Sequence, residues 1–552
     1  MSEKFLDVQL NRAVWVALLE QKKIVEAIQK YEAYIQDLKA KAIDKTIADK
    51  VKGEIDYSNS LVIQKLTALS KEYFENKDFY NALICYKEIL GIDAENIENI
   101  KNYIKCLEEL KQYDIVLELY KYLIKIDDNY ENYKALSDTY SRNKFHKEAI
   151  KTFYKYLKLK DITDLNDNQN NSLGCLYFNY YNEESKKQKA IERSLKYFKK
   201  AVEQSPENKV YIRNLISAAT RAKNNVIAKK YWEKFFTLGY ANIEDEFSYS
   251  AFCISTGDFE NWGKYYNRRF QRENPGLYPQ TDKPEWTGNE DLTDKTLLVH
   301  FEQGFGDTIL TFGYVPRLVK MAKRVIFVVQ DLLYPLLYMN KYGVQIVRQS
   351  DALDLSKFHF DYFIPSMTLI TALKLDETNV SVGEGYIKPS SELVEKFKKK
   401  YFKTDKYKIG LAFASKGVQE RDVPLEQLAK LDELENVEFY CLSKDITDKQ
   451  LSVFKKNKVV NIAKKCNDFA DTAAAIANTD IMVATDNCVL NLAGAIGKET
   501  LGLFNHHFEF RWYDLTKEDV GYYTSVKPII NKEYDEWEES IDKVISYIND
   551  KK

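Results

Sequence analysis

Similar residues recur every 33 or 34 positions through the first half of the chain, and this spacing restricts the fold more than any other feature. Each set combines a leucine or an aromatic residue, a small or short side chain, and a second aromatic residue. A period of this length is typical of a two-helix unit, which cannot bury its apolar face without a neighbouring unit. Three successive sets are Leu69, Tyr73, Ala82 and Tyr86; Tyr103, Leu107, Val116 and Tyr120; and Leu136, Tyr140, Ala149 and Phe153.

Two more sets continue the pattern, the first of them interrupted by an insertion rich in Asn, Glu and Lys. Their positions are Leu173, Gly174, Tyr177, Ser194, Phe198, Ala201 and Pro206, followed by Leu215, Ala228 and Trp232. All five sets resemble the tetratricopeptide repeat, whose small residue lets the second helix approach the first. We therefore predict an α-solenoid over residues 61–270 and a helical cap over 1–60. An ordinary helical bundle with accidental spacing is the alternative.

The pattern changes after a segment rich in proline and glycine, which we interpret as a linker over residues 271–294. Short apolar runs then alternate with helical spacing, which indicates parallel sheets covered by helices on both faces. A first Rossmann-like domain is predicted over 295–400, with one helix over 309–322 and another over 332–340. Its expected strands are 296–301, 324–330, 344–348 and 360–365.

The alternation then starts again, which predicts a second Rossmann-like domain over residues 401–531. Five strands are expected at 408–414, 437–442, 459–462, 480–484 and 500–503. An amphipathic C-terminal helix is predicted within 532–552 and should pack back on a sheet. The predicted fold class is thus α + α/β. Two such domains in tandem leave a cleft between the carboxyl ends of their strands.

Composition excludes several classes of protein. Lys and Arg number 81 against 83 Asp and Glu, so there is no overall charge that would favour nucleic acid. No apolar run is long enough to span a membrane, and no signal peptide is recognisable at the start. Seven cysteines without a Cys-x-x-Cys pair indicate a reducing compartment, so we expect a cytoplasmic protein. With only five histidines, we expect no metal site.

The turn after the first predicted strand contains Gly304, Gly306 and Asp307. Two glycines permit a tight turn that brings the backbone close to a ligand. The dinucleotide-binding fingerprint requires a third glycine where Ile309 stands, which disfavours an NAD-dependent enzyme. Its spacing alone predicts that Asp307 is a helix N-cap, a position that aspartate prefers.

A wider set of motifs over residues 284–525 resembles tetratricopeptide proteins with a heptosyltransferase-like glycosyltransferase domain. The resemblance implies the GT-B arrangement of two Rossmann-like domains. It further implies that Asp307 is the base for an acceptor hydroxyl, with Gly304 and Gly306 leaving room for acceptor and donor. The motifs are Pro284-Glu-Trp-Thr-Gly, Lys295 to His300, Glu302 to Thr308, Phe360 to Leu369, Ile409 to Ser415, Arg421 to Leu425, Asp468 to Ala477, Val483 to Asp486, Leu492 to Lys498 and Arg511-Trp512.

The same resemblance assigns donor binding to the second domain. Lys416 and Arg421 are candidates to neutralise the leaving diphosphate, since basic side chains suit phosphate; solvated loop charges are the alternative. The helix after the fourth strand is expected to direct its first N–H groups at the diphosphate, with Asn487 as an additional donor. Asp486 either holds a ribose or sugar hydroxyl or caps that helix.

The chain departs from the family's pattern at two of these positions. Relatives have Thr or Ser where Asn487 stands and His where Asn491 stands, and asparagine cannot exchange a proton near neutral pH. Either that histidine is not essential, or the donor preference has shifted, or the activity is weakened. Further cleft contacts are expected from Gln303, His506 and Arg511, the latter two on a loop after the last strand.

These observations lead to one function and one alternative. We expect a metal-independent, inverting glycosyltransferase that uses a nucleotide-sugar donor and an acceptor, a protein hydroxyl, selected by the repeats; no cofactor is expected. The alternative is a catalytically weakened, transferase-like scaffold that acts through protein–protein contacts. The sugar, the nucleotide base, the acceptor and the oligomeric state remain open at this point.

Overall fold

The structure, a computed structural model, describes residues 2–42, 48–383, 385–414, 421–506, 512, 520–532 and 536–552. Its chain divides into two compact units. The first comprises Met1–Ser185 and Lys189–Pro206, and the second comprises Lys186–Gln188 and Glu207–Lys552. No helix within the described residues combines the length and the apolar character needed to cross a membrane.

The first unit is built from antiparallel helix pairs joined by short turns. Several helices begin at an Asn or Asp whose side chain accepts N–H groups of the first turn, as at Asp78, Asn96 and Asn129. A π-helix at Tyr180–Ser185 occupies the predicted insertion. The α-helices are α1 Ser2–Glu20, α2 Ile24–Lys41, α3 Ala48–Glu75, α4 Phe79–Ile92, α5 Ile97–Glu109, α6 Tyr113–Ile126, α7 Tyr130–Arg142, α8 His146–Leu159, α9 Asp167–Asn179 and α10 Gln188–Gln204.

The recurring small and aromatic residues lie where the two helices of a pair meet. Ala82 and Ala149 are fully buried, and Phe153 is almost so. Gly174 on α9 packs directly against the ring of Phe198 on α10. The predicted tetratricopeptide-like helix pairs are therefore confirmed.

Replacing Gly174 by alanine is expected to destabilise the first unit, because the added Cβ would lie 2.4 Å from the Phe198 ring. Overpacking of this kind costs about 1–3 kcal/mol. Gly53, in the middle of α3, has no atom near the place of its missing Cβ. Gly53→Ala should therefore stabilise the same unit by about 0.5–1 kcal/mol. The measurement is urea unfolding followed by helical circular dichroism. The midpoint should fall to a lower urea concentration in Gly174→Ala and rise to a higher one in Gly53→Ala. A shift in the same direction for both variants would contradict the packing.

The second unit opens with two further helix pairs, α11 Lys209–Arg221 with α12 Asn225–Thr237, and α13 Ile243–Ser255 with α14 Phe259–Tyr266. The domain limits differ from those predicted. The limit at residue 60 lies inside the unbroken helix α3. The compact units separate near residue 206 rather than at 270, because α14 packs closely on the α/β part, where the missing Cβ of Gly263 would lie 2.7 Å from Thr371.

The first sheet consists of parallel strands in the order β3-β2-β1-β4. Glu285 adds an isolated bridge beside β4, so the end of the linker lies along the sheet. Strands and helices are β1 Thr296–His300, α15 Phe305–Phe312, α16 Val315–Met321, β2 Arg324–Val329, α17 Tyr334–Met339, β3 Gln345–Arg348, β4 Tyr362–Pro365 and α18 Leu369–Ala372.

The single helix predicted over 309–322 is two helices, with the break between Phe312 and Val315. Pro316 occupies the first turn of α16, where its missing N–H costs nothing. In a continuous helix the proline ring would clash with the carbonyl group of Phe312, which explains the break.

The second sheet has the order β10-β9-β8-β5-β6-β7, again entirely parallel. The five predicted strands are present. The sixth, β10, was not predicted because it contains Pro528, and proline is tolerated in a sheet mainly at an edge, which is where β10 lies. The elements are α19 Ser391–Tyr401, β5 Tyr407–Ala412, α20 Leu425–Leu428, β6 Val437–Cys441, α21 Asp448–Leu451, β7 Val459–Asn461, α22 Phe469–Ala477, β8 Ile481–Thr485, α23 Cys488–Ile496, β9 Thr500–Phe504, β10 Val526–Ile530 and α24 Glu538–Lys551.

The C-terminal helix α24 packs on this sheet, as its apolar stripe predicts. Ile541, Val544 and Ile548 are fully buried in the core of the second Rossmann-like domain. The α + α/β architecture, with helix pairs followed by two Rossmann-like domains in tandem, is thus confirmed.

Candidate active site

A cavity of about 1150 Å³ lies between the two Rossmann-like domains, at the carboxyl ends of their strands. The first domain contributes the loop after β1 and the start of α15. The second domain contributes the segments that follow β5, β6 and β8. Binding sites of open parallel sheets lie at such ends because the loops converge there. This volume is slightly larger than that of most small-molecule sites, about 300–1,000 Å³.

Asp307 lies on this cavity in the first turn of α15. Gly304 is the N-cap residue, and its N–H donates to Oδ2 of Asp307 at 2.9 Å. Asp307 therefore occupies the third helical position rather than the N-cap that its spacing predicted. A carboxylate here is stabilised by the positive end of the helix dipole, and the same contact fixes its position on the cavity wall.

The two glycines of this turn have different surroundings. Apart from the Asp307 carboxylate at 3.4 Å, the place of a Cβ on Gly304 is open. A Cβ on Gly306 would lie 2.9 Å from Nδ2 of Asn491 and 3.6 Å from Cα of Cys488. Gly306 thus lets α15 pack against α23, and it also lines the cavity.

Asn491 is held within this packing of α15 against α23. Its Nδ2 donates to the Asn487 carbonyl oxygen at 3.2 Å, and its Oδ1 accepts from the Tyr523 hydroxyl at 3.1 Å. Burial raises the pKa of Tyr523 well above its ordinary value, so this hydroxyl remains a donor. The Asn491 amide therefore joins α23 to the segment before β10, and its side chain is largely buried.

Asn487, not Asp486, caps α23. Its Oδ1 accepts from the N–H groups of Val489 and Leu490, at 2.9 and 3.1 Å. Its Nδ2 donates to the Ala412 carbonyl oxygen at 2.9 Å, which ties the helix start to the end of β5. The Asn487 side chain lines the cavity while it makes these contacts. The predicted donation to a diphosphate by the Asn487 amide and by these two N–H groups is therefore not supported, because all of them are engaged within the protein.

Asp486 lies beneath Arg421 on the cavity wall. Its Oδ1 accepts from the indole N–H of Trp512 at 2.7 Å, and its Oδ2 lies 3.5 Å from Nε of Arg421. The aspartate is buried, whereas the Arg421 side chain keeps 27% of its surface exposed. This arrangement orients the guanidinium toward the cavity, where it can meet an anion.

Lys444 is a cavity residue that sequence reasoning missed. It follows β6, and its Nζ donates to the Cys466 carbonyl oxygen at 3.3 Å. The preceding residue, Ser443, is buried and accepts the N–H groups of Phe413 and Ala414, which joins the loops after β5 and β6. The strand at 437–442 was predicted, and residues that follow parallel strands converge at one edge of the sheet. The position of Lys444 just after this strand was therefore the signal that could have identified it.

A buried ion pair supports the Asp307 turn from behind. Glu302, just after β1, accepts hydrogen bonds from Nε and Nη2 of Arg269, both at 2.9 Å. Its Oε1 also accepts the Met367 N–H at 2.7 Å. Gln303, a predicted cleft contact, lines the cavity and donates from Nε2 to the Tyr266 hydroxyl at 2.7 Å. The last helix pair of the solenoid is thereby attached to the turn that carries Asp307.

Three predicted site residues remain, of which the structure describes one. His506 follows β9 and does not line the cavity formed by the described residues. Lys416 and Arg511 lie outside the residues that the structure describes. Over the described ranges, no cluster of three His, Cys, Asp or Glu side chains could hold a metal ion.

Comparison with known proteins gives similarities at low sequence identity. No protein-family model matches the chain. It is 22% identical over 315 residues to Protein FlbA of Caulobacter vibrioides, and it spans 52% of that protein, about half of its length. A crystal structure of a glycosyl transferase family 9 protein from Veillonella parvula is similar over 47% of this chain and 91% of its own, with 15% identity and a TM-score of 0.37. A tetratricopeptide repeat protein from Parabacteroides merdae is similar over 44% and 93%, with 16% identity and a TM-score of 0.29.

Proposed function

We propose that this protein is a glycosyltransferase that transfers a sugar from a nucleotide-sugar donor to an acceptor hydroxyl. One observation carries the proposal: Asp307 from one domain and Arg421 and Lys444 from the other line the same cavity. A carboxylate suits proton removal from a hydroxyl, and two cations suit a diphosphate leaving group.

The reaction that fits this arrangement is a single displacement with inversion. The acceptor oxygen attacks the anomeric carbon of the donor as its proton passes to the Asp307 carboxylate. The bond between the anomeric carbon and the diphosphate oxygen breaks, and the nucleoside diphosphate leaves with the electron pair. Arg421 and Lys444 stabilise the charge that develops on the leaving group.

The acceptor that we propose is a hydroxyl of a protein or peptide. The support is the tetratricopeptide-like solenoid, because repeat solenoids present extended surfaces suited to polypeptides. Mass spectrometry of proteins from cells with and without this chain tests the proposal directly. A sugar-sized mass increment that disappears with the chain would identify both acceptor and sugar, whereas unchanged glycosylation would contradict a protein acceptor.

Donor binding is tested by calorimetry with a panel of nucleotide sugars and their nucleoside diphosphates. We expect at least one member of the panel to bind, and its slow hydrolysis to be accelerated by the correct acceptor. The absence of binding by the whole panel would contradict the proposed function.

Replacing Lys444 by methionine is expected to raise the Kd of the nucleoside diphosphate by about 10- to 100-fold, because a charge-assisted contact to phosphate is lost. Arg421→Met should have an effect of the same size. Lys449, an exposed lysine five residues beyond Lys444, does not line the cavity and provides the control. If Lys449→Met weakened binding as much as Lys444→Met, a specific phosphate contact would be ruled out.

The second candidate function is a transferase-like scaffold without turnover. Asn491 favours it, because an amide engaged with Asn487 and Tyr523 replaces a histidine of the resembled family. Cells that carry Asp307→Asn separate the two functions. A scaffold should keep its full cellular role in this variant, whereas an enzyme should lose it.

A further inference from the structure

One segment of the first Rossmann-like domain is rich in positive charge, although the net charge of the chain is −2. Residues 308–350 contain six basic side chains and a single acid, Asp331. Among the described residues, none of the six basic side chains forms an ion pair with a carboxylate. The basic residues are Arg317, Lys320, Lys323, Arg324, Lys341 and Arg348.

Exposed apolar side chains are concentrated in the same region. Within the described parts of the two Rossmann-like domains, every strongly exposed large apolar residue lies between positions 319 and 353. Tyr338 and Met339 on α17 each expose 48% of their surface, and Met321 at the end of α16 exposes 41%. Val319 and Tyr342 are also exposed. Burying such residues against another surface is favourable.

Topology places these residues on one face of the domain. Strands β1, β2 and β3 are consecutive neighbours, so both right-handed crossovers, through α16 and through α17, cover the same face of the sheet. Val319 on α16 lies 3.8 Å from the place of a Cβ on Gly343, just after α17. We call this the α16–α17 surface: Val319, Lys320, Met321, Lys323, Arg324, Tyr338, Met339, Lys341 and Tyr342.

Basic and apolar side chains are mixed on the α16–α17 surface. Lys320 lies between Val319 and Met321 in the sequence, and the Nζ of Lys341 lies 5.2 Å from the ring centre of Tyr338. Lysine is depleted at protein–protein interfaces, whose centres exclude charge. Methionine, tyrosine and lysine together suit the boundary of a bilayer, where the apolar parts enter and the ammonium groups reach the phosphates.

We propose that the α16–α17 surface binds an anionic lipid membrane. The occupant is the headgroup layer of a bilayer, attracted by unpaired lysines and held by the exposed methionine and tyrosine side chains. This inference does not depend on catalysis, so it can be tested whether or not the proposed function holds.

The test is flotation of the full chain with vesicles of mixed phosphatidylglycerol and phosphatidylcholine, with pure phosphatidylcholine vesicles for comparison. We expect binding to the anionic vesicles alone, weakened by added salt. A Lys320→Glu, Lys323→Glu, Lys341→Glu variant should lower the partition coefficient by at least about 100-fold, since each basic residue contributes about fivefold. Failure of the unmodified chain to bind anionic vesicles would overturn the inference.

A matched variant separates this surface from overall charge. Lys398, Lys399 and Lys400 are exposed on α19, which packs against α22 of the second domain. Their reversal to glutamate changes the net charge equally. This control should bind vesicles like the unmodified chain; an equal loss of binding would overturn the inference.

A Met321→Ser, Met339→Ser variant, assayed with vesicles and with soluble polyglutamate, distinguishes lipid from other partners. Weaker vesicle binding by this variant would support the lipid. If the unmodified chain bound polyglutamate but not vesicles, the partner would instead be an acidic protein. If the unmodified chain formed a dimer, did not bind vesicles, and became a monomer in this variant, the partner would be a second copy of the chain.

Discussion

Asp307→Asn should lower the rate of sugar transfer by about 10²- to 10⁴-fold, the factor by which a positioned general base typically accelerates a reaction. The fold should persist, because Oδ1 of an asparagine can still accept the Gly304 N–H that Asp307 accepts at 2.9 Å. Donor binding should also persist, since the groups proposed to hold the diphosphate belong to the other domain. The measurement is initial transfer rate against donor concentration, together with calorimetric donor affinity.

Asp354→Asn provides the matched control. Asp354 also accepts an N–H group at the start of a helical turn, from Ser356 at 3.0 Å, but it does not line the cavity. This variant should transfer sugar at the rate of the unmodified chain. Full activity in Asp307→Asn, or equal losses in both variants, would exclude Asp307 as the base.

Breaking the buried pair of Arg269 and Glu302 on one side should cause a large loss of stability. Only 5% and 2% of the two side chains are exposed. Arg269→Met would leave the Glu302 carboxylate buried without its counter-ion, which typically costs about 3–5 kcal/mol. Thermal unfolding of the full chain should therefore begin at a markedly lower temperature. Transfer activity should fall as well, because Glu302 precedes the turn that carries Asp307.

A second substitution distinguishes an unpaired charge from lost packing. Adding Glu302→Gln to Arg269→Met removes the charge yet keeps an acceptor for the Met367 N–H, so most of the lost stability should return. Arg268→Met is the control, because Arg268 pairs with Glu246 at a partly exposed position and should cost less than about 1 kcal/mol. If the double variant were as unstable as Arg269→Met alone, the lost stability would come from lost packing and not from an unpaired charge.

Prediction from sequence succeeded where the pattern is local. The two-helix repeats follow from the spacing of small and aromatic residues, and the strands from short apolar runs. The exceptions also have local causes, as at Pro316, which divides a predicted helix, and Pro528, which concealed an edge strand. Asp307 was selected through its resemblance to a family, since spacing alone identified a helix cap.

The roles of other site residues depend on contacts between distant segments. Asn487 rather than Asp486 caps α23, and Asp486 instead lies between Trp512 and Arg421. Lys444 became recognisable as a cavity residue only when the loops after β5 and β6 were placed together.

Periodicity along the chain was enough to predict the order of helix pairs and strands and the two-domain α/β plan, because helical and strand periodicities are properties of neighbouring residues. Which charges meet and which remain unpaired followed only from the packing of distant segments. Arg269 reaches Glu302 across 33 positions, whereas six basic residues of one domain find no acidic partner among the described residues. Net charge sums over the chain, but electrostatic interaction depends on distance, and distance is set by packing.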